Sequence, residues 1–253
     1  MSAETWMRLA LVPAAVWLAS LAARRWGHSV SGYLGGMPMI GGPVTLFLAL
    51  DLGPAFVAQS ALFTLGAVAA QSAHLVTLAH VGQRHRWMVM LASGWASFAT
   101  AAVVVSLIPL TPLVAAVLAF GTLALAWRNM PREHVETARP AIPPLELRLR
   151  LVVAFALAAV IMFAAPIFGP VVSGILLSLP ITGSIMPPFT LALYGPNALV
   201  RLVRGFVLGL CGFAAFFLVI ATTVVSWGVG PAFTAAVSAA VVALFIVNRM
   251  VRK

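Results

Sequence analysis

The chain has 253 residues, of which 62% are hydrophobic and 8% charged, and its mean hydropathy is +1.09. Soluble proteins carry about a quarter charged residues, so this composition excludes a water-soluble domain and places the chain in a lipid bilayer. Fifteen basic residues face five acidic ones, but the bases lie between apolar stretches, a membrane-topology pattern and not a nucleic-acid surface. The single cysteine, Cys211, excludes an internal disulfide framework and a cysteine-based metal cluster.

A helix crossing ~30 Å of hydrocarbon needs roughly 20 apolar residues. By that measure the charged and Pro/Gly punctuation predicts an all-α integral membrane protein of about nine transmembrane helices: 5–23, 30–50, 54–81, 87–108, 113–127, 151–165, 171–193, 197–227 and 231–247. The first segment ends in small residues, yet Glu4 and Arg8 precede it and Arg24 and Arg25 follow it. Those flanks run against a cleavable signal and predict a retained helix.

Basic residues fall after segments one, three, five, seven and nine, and none falls after two, four, six or eight. Fourteen of the fifteen thus share one side, with Arg8 on the other. The positive-inside rule then predicts an external amino terminus and a cytoplasmic carboxyl terminus.

Sliding the chain by 142 residues aligns 8–54 with 150–196 without a gap, and fifteen of 47 positions are identical. Chance would give roughly a tenth in so apolar a composition. The matches at Gly27, Gly32, Pro38, Gly41, Gly53 and Pro54 weigh most, because Gly and Pro set backbone shape. Segments one and six start on opposite sides of the membrane, so the two copies have inverted topology, a hallmark of secondary transporters. The predicted organisation is repeat one at 1–127 with five helices, a cytoplasmic linker at 128–150, and repeat two at 151–253 with four. Segment four, 87–108, is the helix expected to lack a counterpart.

Helices two and seven each carry a proline and a glycine three residues apart near mid-depth: Pro38 and Gly41, Pro180 and Gly183. A proline inside a helix removes a donor and clashes with the preceding turn, so both helices are predicted to be interrupted there. Exposed backbone at that depth is tolerated where protein buries it or water lines it, and matched discontinuous helices point to a transport site. Pro38, Gly41, Gly42, Thr45, Pro180, Thr182, Gly183 and Ser184 are the expected solute-binding residues; close-packing glycines are the alternative.

In segment three, Ser60, Thr64, Gln71 and His74 recur on one helical face and should look into the bundle. Gln71 and His74 are further binding candidates, and His74 is a coupling candidate as an intramembrane ionisable group; an interhelical hydrogen bond is the other reading. Asp51, at the outer end of segment two, is a second coupling candidate, or else it favours the positive end of the following Pro-started helix. Arg201 and Arg204, at the cytoplasmic start of segment eight, either obey the positive-inside rule or admit an anion.

No phosphate loop, His-Glu-x-x-His, G-x-S-x-G or intramembrane carboxylate pair occurs, so no enzyme is expected, and no cofactor or metal. The stretch Ser173-Gly174-Ile175-Leu176-Leu177-Ser178-Leu179-Pro180-Ile181-Thr182, with Gly195, Arg201 and Arg204, resembles the small GlpM-type inner-membrane proteins. The resemblance implies a duplicated, fused relative in the inner membrane and brings no substrate with it. The expected function is a secondary transporter or exporter of a small anionic or neutral polar solute by alternating access, partnered by the bilayer and its solute. A scaffold or assembly protein and a passive channel are the alternatives.

Overall fold

The computed structural model describes residues 28–131 and 143–251, together with Pro13, Ala14 and Trp17. The remainder of segment one, with Arg8, Arg24 and Arg25, and the middle of the expected linker at 132–142 lie outside the described residues. Every regular element among the described residues is helical: α1 (His28–Gly36), α2 (Gly41–Leu52), α3 (Pro54–Gly66), α4 (Val68–Val81), α5 (Trp87–Ser106), α6 (Pro112–Asn129), α7 (Pro144–Leu177), α8 (Ile181–Trp227) and α9 (Val229–Val251). Among the described residues six stretches are long and apolar enough to cross a membrane: Gly32–Leu52, Pro54–Val81, Trp87–Ser106, Pro112–Asn129, Pro144–Trp227 and Val229–Met250. The chain is therefore a multi-span membrane protein by length and composition.

The stretch Pro144–Trp227 has 84 residues, about 126 Å as a straight helix, several times a bilayer's hydrocarbon. It is subdivided by Gly169 (φ 78°, ψ −176°), by the non-helical residues 178–180, and by Gly195 (φ 77°, ψ −176°). Gly53 (φ 89°, ψ 166°) separates α2 from α3 in the same conformation. That backbone region is essentially closed to residues with a Cβ, and at all three places a proline follows, pre-set for the first turn of the next helix. At these three places a positive-φ glycine followed by a proline ends one helical stretch and starts the next.

The stretch read as a linker is helical at both ends, since α6 runs to Asn129 and α7 begins at Pro144. The cause is local: Pro144 occupies the first turn, and Glu146 places a negative charge at the helix's positive end.

Two long rods form the centre, 54–81 and 196–227, and they carry most of the buried large side chains, including Leu65, Leu78, Leu199, Leu202, Phe216 and Phe217. Surrounding helices turn small residues inward and large ones outward. Ala115, Ala119, Ala154, Ala158, Ala232 and Ala236 are fully buried, while Leu113, Val117, Val152, Val160, Val237 and Val241 are exposed. Apolar contact gains nothing over lipid at this depth, so close backbone approach through small residues drives association. The closest approach is α1 on α8. A Cβ at Gly32 would lie 2.9 Å from Gly205 Cα, and one at Gly36 would lie 3.0 Å from the Gly209 carbonyl carbon. Each partner therefore offers glycines four residues apart.

Candidate functional site

The two interruptions adopt one geometry. At the first, Met37 N–H donates to Leu34 O (3.3 Å) and Met39 N–H to Met37 O (2.7 Å); at the second, Leu179 N–H donates to Leu176 O (3.2 Å) and Ile181 N–H to Leu179 O (2.8 Å). Each short bond closes a three-residue turn centred on a proline, and Pro180 (φ −78°, ψ 53°) has inverse γ-turn angles. Proline suits the centre because its φ is already fixed and it has no N–H to leave unpaired. α2 restarts at Gly41 and α8 at Ile181, and the first N–H groups of each new helix have no partner within it.

A cavity of about 90 Å³ lies between the interruptions, lined on one side by Gly36, Met37, Ile40 and Gly41 and on the other by Leu179, Pro180, Thr182 and Gly183. A water needs about 10–15 Å³ of such volume, so the space takes several waters or one small organic solute. Leu157, Ile161, Met186, Phe206 and Phe213 make the rest of the wall largely apolar, and Gln71 and Arg150 also line it.

Of the residues expected to bind solute, Gly41, Gln71, Pro180, Thr182 and Gly183 line this cavity. Pro38, Gly42, Thr45, His74, Ser184, Arg201 and Arg204 do not. Pro38 centres the first turn, and its carbonyl accepts from Gly42 N–H (2.7 Å). Ser184 Oγ donates to Pro180 O (2.7 Å), back along its own helix. Thr45 is fully buried. Asp51 is exposed, and α3, which follows it, has Gly53 at its N-cap with no side-chain cap hydrogen bond.

The polar face of segment three is buried along its length: Ser60, Thr64 and His74 are fully buried and Gln71 nearly so. Three of these side chains meet carbonyls of the facing segment in order. Thr64 Oγ1 donates to Gly174 O (3.2 Å) as well as to Ser60 O (2.9 Å). Gln71 Nε2 donates to Ser178 O (2.6 Å), a carbonyl that the interruption removes from regular helical bonding. His74 Nε2 lies 3.5 Å from Gly183 O, and its ring meets Trp95 edge-on at 6.1 Å. These contacts favour the interhelical reading of the stripe, with Gln71 also open to the cavity.

Arg204 Nη1 donates to Pro131 O (2.9 Å), and its guanidinium stacks over Trp127 at 4.2 Å. It thus ties the end of α6 to α8, away from the cavity. The residue missed by the sequence reading is Arg150, counted as a linker base. It is 6% exposed, pairs with Glu146 one turn earlier, and lines the cavity. The i,i+4 acid–base spacing was the available signal. Among the described residues no group of three metal-ligating side chains converges.

No family model matches the chain, and neither the curated proteins nor the solved structures include a match.

Proposed function

We propose that this protein is a secondary transporter that moves a small anionic or neutral polar solute by alternating access. The observation that carries the reading is the cavity bounded by both interruptions, the arrangement in which discontinuous helices present backbone groups to a solute near mid-depth.

Inverted repeats are supported by the interval of 142 residues, which recurs in contacts as well as in sequence. The donors and acceptors of both proline turns differ by that interval, as do Gly53 and Gly195. A Cβ at Gly32 would meet Leu202 O and Phe206 N, and one at Gly174 would meet Ser60 O and Thr64 N. Residue numbers shifted by 142 convert the first contact into the second, so each copy grips the other in the same way, as across a two-fold axis. Trp87 and Val229, where α5 and α9 begin, are also 142 apart. That supports pairing α5 with α9 and leaves α6, in place of the expected 87–108 helix, without a counterpart. In this reading the GlpM-type resemblance of the second half reflects a duplicated and fused unit.

The test is reconstitution into proteoliposomes with a screen of labelled small anions and neutral polar solutes. Saturable uptake with counterflow is expected. Non-saturating flux would make the protein a channel, and no flux of any solute would favour a scaffold.

A further inference from the structure

The Glu146–Arg150 pair is out of place for a membrane helix end. Arginines there ordinarily snorkel to the water interface, whereas Arg150 is 6% exposed and turned into the cavity wall. A buried ion pair seldom adds stability over apolar side chains of similar size, so helix packing alone gives no reason for one. The chain has only five acids, and two of them stand four residues before an arginine: Glu4 before Arg8, and Glu146 before Arg150. The two pairs are 142 residues apart, which is the interval of the proline turns.

On α7, Arg150, Leu157 and Ile161 line the cavity at spacings of seven and four, hence on one face. Over about 16 Å of helix the wall passes from a guanidinium to aliphatic side chains, with Phe206 and Phe213 also apolar. Arg150 is the one cationic side chain lining the cavity among the described residues.

We infer that Arg150 is the solute-binding residue of this cavity, that the solute is a small organic monoanion with a carboxylate-type head and an apolar body, and that Glu146 holds Arg150 until the solute replaces it. The guanidinium fork matches a carboxylate in two parallel bonds, and the apolar wall accepts the body. In the solute-free protein the Glu146 carboxylate offsets the buried charge of Arg150. The inference rests on the transporter reading for its physiological meaning, but binding can be measured without transport.

The test uses the purified full chain in lipid nanodiscs, titrated calorimetrically with benzoate and with benzamide, its uncharged analogue. Wild type should bind benzoate saturably and benzamide at least about tenfold more weakly, the scale of a charge-assisted hydrogen bond. Arg150→Gln should weaken benzoate by about tenfold to a hundredfold and leave benzamide unchanged. Glu146→Gln should tighten benzoate. Because Arg150→Gln leaves Glu146 buried alone, Glu146→Gln with Arg150→Gln serves as the neutral, foldable control and should also lose benzoate selectivity. Equal binding of the two probes, no benzoate binding into the millimolar range, or full benzoate affinity in the double variant would overturn the inference. So would Glu146→Gln weakening benzoate as Arg150→Gln does, since the pair would then be structural. Proteoliposomes separate the two readings: saturable uptake of another solute, unaffected by Arg150→Gln, overturns the role of Arg150 and keeps the transporter. Arginine-dependent benzoate binding with no flux of any solute does the reverse.

Discussion

Gln71 supplies a donor to a carbonyl at the helix break. The break at residues 178–180 takes the Ser178 carbonyl out of regular helical bonding, and Gln71 Nε2 reaches it at 2.6 Å. An unsatisfied buried acceptor costs about 1–3 kcal/mol, so Gln71→Leu should lower the thermal stability of the purified protein by that order, measured by a melting curve in detergent. An unchanged melting temperature would mean that another donor takes over. His74 stands differently: its ring is fully buried against Trp95 and Gly183, while His80 is exposed and bonds its own helix at Val76 O. Once a transported solute is known, His74→Ala should change the rate or its pH response more than His80→Ala. Equal small effects would leave His74 a packing residue. Arg204→Ala should lower stability and leave solute affinity intact, because its partners, Pro131 O and Trp127, are structural.

The helical elements owe their ends to single residues. Each proline turn replaces one turn of helix with a bond two residues long, beside residues that line the cavity. Pro180→Ala restores a donor and relieves the clash with the preceding turn, so the helix can run on through residue 180. In the transporter reading, uptake should fall sharply while the melting temperature holds or rises, the trade seen when a strained functional segment is regularised. Unchanged uptake would remove the interruption from the mechanism. The α1–α8 crossing has the opposite tolerance. A side chain at Gly36 would run into Phe206 O and Leu210 N, which are backbone and cannot step aside. Gly36→Leu should therefore cost about 1–3 kcal/mol or more as overpacking, read as a lower melting temperature or loss of the folded protein. Gly121, with nothing near its Cβ position, is the control and should accept leucine.

For the whole molecule, reporters test the orientation expected from the distribution of its bases. Fusions after Asp51 or Pro109 should read external, and a fusion at Lys253 cytoplasmic; an external Lys253 would sink both the nine-span count and the orientation. Much of the architecture was legible along the chain because a bilayer leaves a backbone no choice but to bond within itself. Apolar length therefore reads directly as helix, and Pro38, Pro180, Gly53 and Gly195 act on their own turns. The 142-residue self-match was legible for the same reason, since its strongest positions are residues that shape backbone. What each helix faces was not legible to the same degree. A helix that is apolar all round carries no stripe to mark its inner side. Segment three could be oriented from its polar residues, and they are indeed buried; α7 could not, and Arg150 read as one more base beside the membrane. Its place in the cavity, and the separation of Arg204 from it, depend on how α7 and α8 are rotated and how closely glycine contacts such as Gly32 with Gly205 let backbones approach. Those are relations between distant segments, and no local pattern of residues encodes them.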